Sequence, residues 1–304
     1  MIGTMKAGVV GAGVFGGYHA EKWATLPGAT LVAVLDTDAE RGAALAIRTG
    51  GEPFTDLGLF LESVDLVSIA SPAVTHGALA LQVLRAGKPV YVEKPLGVSL
   101  EDADAVAREA SQRGLVVACG FLERVAFEAI GLLDAPARPS MIEATRLGAP
   151  SARNQDVSVV LDLMIHDLDL VLALAGGPPL TVEAEGSFGE TGLLDEARAE
   201  ITFVTGLVAR LHASRVAPAA ERGARITYPS GEVAIDFVRG EVIDGAALGL
   251  DTGFAARPQS RDRLSVSLAR FLAAVRGEGR VLADAGDGVR ALDLALAVEQ
   301  AAGG

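Results

Sequence analysis

Among its 304 residues the chain has one cysteine, Cys119. That excludes an intramolecular disulfide and any thiolate metal cluster, and Cys119 is expected as a buried thiol at a strand end. Long apolar runs are missing too: no segment approaches the ~20 residues needed to span a bilayer. The run at Val9 is broken by glycines within a few residues, so it does not form the apolar core of a secretory leader. Positive charge is scarce relative to negative. The net charge of −13 argues against non-specific nucleic-acid binding and against docking on an anionic membrane. It does not exclude an anionic substrate, because a local arginine cluster overrides a global field. Internal repeats and low-complexity tracts are absent. A soluble cytoplasmic protein is expected, without a structural metal.

What is present is core-forming material, with hydrophobic residues at 50% and charged residues at 21%. The chain is long enough for two domains. Its most informative stretch is the beginning. Residues 7–10 read as a strand buried on both faces, followed by Gly11-Ala12-Gly13-Val14-Phe15-Gly16 and then a helical pattern through Trp23 and Leu26. Gly11 permits a tight turn, Gly13 lets the backbone approach a pyrophosphate, and Gly16 lets the helix pack close on the strand. The helix start offers unpaired N–H groups to phosphates. A second strand, residues 30–35, ends in Asp36, which lies 20 residues past Gly16, where a carboxylate reaches ribose hydroxyls. The alternative for Asp36 is an ordinary strand-end acid. Thr37 and Asp38 follow it with no adjacent cation, which favours NAD over a 2′-phosphorylated cofactor.

Strands and helices alternate up to residue 120, which predicts a doubly wound parallel sheet, an α/β fold. Strand 65–70 runs into Ser71-Pro72, with His76 in the helix that follows. Strand 89–92 delivers Glu93-Lys94-Pro95. Ser99 and Asp102 bracket a helix start as a capping box. Ligands sit outside the carboxyl ends of such strands, so Ser71, Glu93 and Lys94 point to one crevice. Lys94 is read either as a reactive amine or as a surface residue at a turn.

From residue 121 to 304 the pattern changes to an α+β domain with a mostly antiparallel, open sheet. Its predicted pieces are strand 141–146, a polar loop 148–156, a helix 159–174, and alternating segments 181–188, 198–204, 207–216 and 224–236. Residues 240–261 read as loop. Helices near 264–275 and 287–301 close the chain and are free to pack back on the first domain. In the middle helix, Asp162 and His166 are i, i+4, where a carboxylate orients an imidazole. The alternatives are a structural ion pair, or a metal site with Asp169, which lacks further ligands.

The glycine turn with Asp36, Glu93-Lys94-Pro95, and Asp162-x-x-x-His166 together resemble the Gfo/Idh/MocA family of sugar and polyol dehydrogenases across essentially the whole chain. That resemblance implies a Rossmann domain at 1–120 and a substrate and oligomerisation domain at 121–304, often buried in a dimer or tetramer. It implies NAD held by Gly11, Gly13, Val14, Phe15, Gly16 and Asp36. Ser71, Pro72, His76, Glu93 and Lys94 would line the nicotinamide crevice, and Lys94, Asp162 and His166 would form the catalytic group. Residues 160–169 and Gly120-Phe121-Leu122-Glu123-Arg124 are most similar to the UDP-N-acetylglucosamine 3-dehydrogenase branch. Its members make a 3-keto nucleotide sugar for a partner aminotransferase on the way to amide-linked lipid A. Relatives often carry glycine where Met164 stands, and Phe-Asn-Pro where Val125-Ala126-Phe127 follow. Arg124, Arg153, Asn154 and His166 are candidates for the sugar or nucleotide, and either His166 or Lys94 for the base. Two rivals remain: a free-sugar or inositol dehydrogenase, and a non-catalytic NAD-binding regulator of the same fold.

Overall fold

The computed structural model describes residues 3–150, 156–254, 257, 260 and 262–303. The chain divides into two compact units, Met1–Leu122 with Leu264–Val289, and Glu123–Arg263 with Arg290–Gly304. Among the described residues no helix is long and apolar enough to cross a membrane.

The first unit alternates β1 (Met5–Val10), α1 (Val14–Thr25), β2 (Ala29–Leu35), α2 (Ala39–Thr49), β3 (Glu52–Phe54), α3 (Leu57–Ser63), β4 (Leu66–Ile69), α4 (His76–Arg85), β5 (Val90–Val92), α5 (Leu100–Arg113) and β6 (Val117–Cys119). The sheet is parallel throughout, in the order β3-β2-β1-β4-β5-β6. The chain therefore switches sides of β1 on going from β3 to β4, and this opens a crevice between the carboxyl ends of β1 and β4. Residues 7–10 of β1 and all of β4 are buried because helices cover both faces. Cys119 is a free, buried thiol at the end of β6. The pair β3 and α3 was not expected from sequence. Their signal is weak because β3 is only Glu-Pro-Phe at the sheet edge, where a proline lacking its N–H is tolerated.

Helix α8 (Arg263–Val275) belongs to this unit from Leu264 onward. Its Leu264, Leu268, Phe271 and Leu272 recur at helical spacing and enter the same core as Trp23 and Tyr91. The Phe271 ring meets Trp23 and Tyr91 edge-on at 6.4 and 5.9 Å. The polar tips of those two rings are satisfied by Ser68 (2.8 Å) and Ser267 (3.0 Å), as buried Trp and Tyr require.

The second unit holds a seven-stranded sheet made of β7 (Met141–Leu147), β8 (Pro179–Phe188), β9 (Leu194–Phe203), β10 (Val208–Ser214), β11 (Glu221–Tyr228), β12 (Gly231–Asp236) and β13 (Glu241–Asp244). Its order is β13-β12-β11-β7-β10-β9-β8, and only β7 and β10 run parallel. Period-two alternation sets the faces: Ile142, Ala144 and Arg146 of β7 are buried, while Glu143 is exposed. The 240–261 stretch expected as loop contains β13, a short outer strand that alternates exposed and half-buried residues. The helix expected at 159–174 is in two parts, a π-helical turn Val160–Met164 and then α7 (Ile165–Ala175). Ser158 caps its start, with Oγ accepting from the N–H groups of Val160 (3.1 Å) and Leu161 (3.2 Å). The helix expected at 287–301 is α9 (Ala285–Gly303), which passes from the first unit into the second at Val289/Arg290.

Candidate active site

The glycine turn is built as a cradle. Gly11 has φ +96°, and a Cβ on it would come within 2.8 Å of the Ala70 carbonyl oxygen and the Ser71 nitrogen. A Cβ on Gly16 would lie 1.7 Å from the Gly11 carbonyl oxygen, so α1 packs this closely only with glycine there. A Cβ on Gly13, by contrast, meets nothing within 4 Å, which leaves open space beside the backbone at the helix start. Val14, exposed, and Phe15, half-buried, form the first turn of α1. This shape fits a pyrophosphate on backbone N–H groups.

Asp36 closes the cradle from the end of β2. Its Oδ2 accepts from Ala12 N (2.6 Å) and its Oδ1 from Asp38 N (2.9 Å). The sequence neighbours Thr37 and Asp38 carry no cation, but the fold supplies one. Arg41, one turn into α2, donates to both carboxylate oxygens, from Nη2 at 2.7 Å and Nε at 3.2 Å. Burial pushes the carboxyl up, yet the Arg41 hydrogen bond and the two N–H groups outweigh it, so Asp36 stays below the usual carboxylate range. Replacing Asp36 with Ala removes charged acceptors worth about 1.5–3 kcal/mol each to ribose hydroxyls and releases Arg41 to meet a 2′-phosphate. NAD binding is therefore expected to weaken and the preference over NADP to narrow or invert. Titration of both cofactors checks this, and equal affinity of the unaltered protein for the two would contradict it.

Across the crevice, β5 ends in Glu93-Lys94-Pro95, with a cis Lys94–Pro95 peptide. Lys94 is half-buried and Glu93 is buried. His19 of α1, fully buried, places Nε2 at 2.9 Å from Glu93 Oε1. Burial pushes the Glu93 carboxyl up, but His19 with the charges of Lys94 and His76 holds it below its ordinary value. His76 ties the crevice walls together: Nδ1 lies 2.7 Å from the Pro95 carbonyl oxygen and Nε2 2.9 Å from that of Ser71. Both partners are acceptors, and burial lowers the imidazole pKa. Ser71 Oγ pairs with Thr75 Oγ1 at 2.7 Å, and Pro72 is exposed at the rim.

In the second unit, Asp162 lies in the π-helical turn and His166 in α7, both half-buried among fully buried neighbours. A carboxylate close to His166 is Glu123, at the start of α6 (Glu123–Ala129), whose Oε2 lies 2.9 Å from His166 Nδ1. Glu123 Oε1 accepts from Arg146 Nη1 (2.9 Å), and Arg146 grips Asp167 with Nε (3.1 Å) and Nη2 (2.8 Å). Arg146 and Asp167 are each 2% exposed, so this is a buried ion network. Burial opposes the arginine's charge, but the two carboxylates raise its pKa further. Burial likewise pushes Glu123 up, and His166, Arg146 and Arg263 hold it well below the ordinary value.

Arg124, a candidate for the substrate, donates to Asp169 through two bonds of 2.9 and 2.7 Å and so joins α6 to α7. Arg153 and Asn154 lie outside the described residues. Two signals pointed to the network. An arginine fills an inward slot of β7 beside Ile142 and Ala144, and Asp167 and Asp169 interrupt an otherwise apolar helix, where buried carboxylates need cations. Beside the network lies a cavity of about 290 Å³ lined by Phe127, Phe237, Phe254, Arg239 and Arg263 among others. The Phe237 ring stacks 5.7 Å below the Arg146 guanidinium. Among the described residues no group of three or more His, Cys, Asp or Glu is arranged to hold a metal.

Comparison with known proteins supports the same reading. Residues 5–121 match the family described as "Oxidoreductase family, NAD-binding Rossmann fold", and residues 140–234 match the "GFO/IDH/MocA C-terminal domain". The chain belongs to the Gfo/Idh/MocA oxidoreductase family. It is 36% identical to UDP-N-acetylglucosamine 3-dehydrogenase of Acidithiobacillus ferrooxidans, over 98% of this chain and 97% of that enzyme. A solved structure of that enzyme superposes with a TM-score of 0.87, covering 99% of this chain and 98% of the other. Scyllo-inositol 2-dehydrogenase (NAD(+)) of Bacillus subtilis is 30% identical over 70% of this chain and 68% of its own. As a Gfo/Idh/MocA member, this protein is an NAD-dependent sugar dehydrogenase with a Rossmann domain and a mostly antiparallel second sheet.

Proposed function

We propose that the substrate is UDP-N-acetylglucosamine, oxidised at C3 to the 3-keto sugar, with Lys94, Asp162 and His166 as the catalytic group. The observation that carries this is the end-to-end likeness to the Acidithiobacillus enzyme, where the inositol dehydrogenase aligns over about 70% of the chain. The cavity in the second unit adds support. Its phenylalanines suit a planar base, and Arg239 and Arg263 suit a diphosphate, whereas inositol needs neither.

NAD supplies the hydride acceptor at the nicotinamide ring. The residues of this chain do the rest. Gly11, Gly13 and Gly16 seat the pyrophosphate and Asp36 the adenosine ribose, while Ser71, Pro72, His76 and Glu93 line the nicotinamide side. As the carbinol C–H leaves as hydride, its hydroxyl proton must leave too, or a protonated ketone would build up. His166 or Lys94 takes that proton, the other donates a hydrogen bond to the forming carbonyl, and Asp162 orients the pair. Such acid–base help is worth ~100- to 10,000-fold. The ketone would pass to an aminotransferase, and the enzyme would work as a homo-oligomer.

The reading is tested by thermal unfolding with ligands. A ligand bound only by the native state at 100 times its Kd adds about 2.7 kcal/mol. UDP-N-acetylglucosamine with NAD is expected to raise the melting temperature well beyond free N-acetylglucosamine or inositol with NAD. A shift with free sugar or inositol alone would move the assignment to the polyol branch.

A further inference from the structure

We infer that Glu123 is the positioning residue of His166: its carboxylate holds the imidazole proton on Nδ1 and so leaves Nε2 as the base for the sugar hydroxyl. This rests on the sugar-oxidising reading of the site and adds a residue to it.

The geometry forces the proton's place. Nδ1 and Oε2 are 2.9 Å apart, and two atoms that both lack hydrogen do not sit at that distance. The contact is an approach of Nδ1 to the carboxylate within ion-pair range, off the line of a straight hydrogen bond. Either the imidazole or the carboxyl carries the proton between them. Arg146 donates to the other carboxylate oxygen at 2.9 Å, and Arg263 adds a second cation, so the carboxylate is the ionised partner. An ionised carboxylate only accepts, so the proton is on Nδ1, and a ring that holds only that proton presents an acceptor at Nε2. When the hydroxyl proton moves to Nε2 and the hydride to NAD, the carbonyl forms and the imidazolium is left facing the Glu123 anion. The charged groups around this pair are Arg146 on β7, Asp167 on α7 behind it, and Arg263 at the start of α8. Asp167 absorbs two of the Arg146 donors, which fixes the guanidinium so that Nη1 stays on Glu123.

A neutral isostere reverses the arrangement. In Glu123→Gln the Arg146 N–H claims the single amide oxygen, the amide NH₂ turns to Nδ1, and Nδ1 must accept. The ring proton then moves to Nε2, where it blocks the base. Nitrogen-15 NMR of the ring, read on the protein without substrate, is expected to show the Nδ1–H form in the unaltered protein and the Nε2–H form in the variant. Kinetically, kcat is expected to fall ~100-fold with the KM for NAD unchanged, since a general base is lost. Glu123→Asp keeps the charge and is expected to keep the Nδ1–H form and recover most of kcat. An Nε2–H ring in the unaltered protein would overturn the inference whatever the substrate proves to be. So would a Glu123→Gln protein whose ring keeps the Nδ1–H form. Failure of the substrate reading shows separately, as a protein with the Nδ1–H ring that does not turn over UDP-sugars.

Discussion

His166→Ala is expected to lower kcat by ~100-fold or more while leaving NAD affinity nearly unchanged, and Lys94→Ala to do the same. The expectation follows from where their work lies. Proton removal and hydrogen-bond donation to the new carbonyl matter in the transition state, whereas on the proposed reading NAD would be held by the glycine turn and Asp36. An interaction used only in the transition state lowers kcat and kcat/KM together when removed. The double variant is expected to cost less than the sum of the singles, because groups that act as a unit are not additive. Asp162→Asn keeps the shape and is expected to raise the barrier less than either. Steady-state kinetics and cofactor titration on the same preparations check this. Normal turnover by the single variants would make these residues a structural cluster and contradict the proposed mechanism.

The largest loss of stability is expected from Arg146→Ala, at about 3–5 kcal/mol. Its guanidinium is 2% exposed and makes one bond to Glu123 and two to Asp167. Removing it leaves two carboxylates in the interior without their cation, and an uncompensated buried charge is the costly case. Denaturant unfolding of the variant against the parent measures the difference. The pH dependence has a definite sign. The folded Glu123 carboxyl lies well below its ordinary 4.5, so its contribution is fully present above that value and is lost as the pH falls through the folded value. In Arg146→Ala the folded value rises toward the ordinary one, and acid unfolding is expected to begin at a higher pH than in the parent. A variant as stable as its parent would show that the network contributes no net stability.

How much of this was legible in the sequence depends on how local each signal was. The cradle at Gly11, Gly13 and Gly16 was readable because its strand, turn and helix are contiguous, and Asp36 because strand length fixes its distance. The strands of the first sheet were readable as apolar runs, except β3, whose Glu-Pro-Phe carries no apolar pattern. Arg41 was missed because it reaches Asp36 by a turn of helix rather than by adjacency. The pairing of Asp162 with His166 was read from α-helical spacing, and the π-helical form of the turn that holds Asp162 left no mark in the sequence. Glu123 and His166 are 43 residues apart in the chain and meet only through packing of α6 on α7. No periodicity predicts that meeting. The buried carboxylates of α7 did announce that cations were needed, without saying that Arg124 and Arg146 would supply them.

The most direct measurement is a product assay. The purified protein is incubated with NAD and UDP-N-acetylglucosamine, with a coupled aminotransferase to draw off the ketone. NADH is followed by absorbance and the nucleotide sugar by mass spectrometry. NADH is expected to form in step with a sugar nucleotide whose C3 hydroxyl has become an amine, and a substrate deuterated at C3 should pass its deuterium to the NADH. Reduction of NAD by free inositol or free sugars, with the nucleotide sugar inert, would contradict the account.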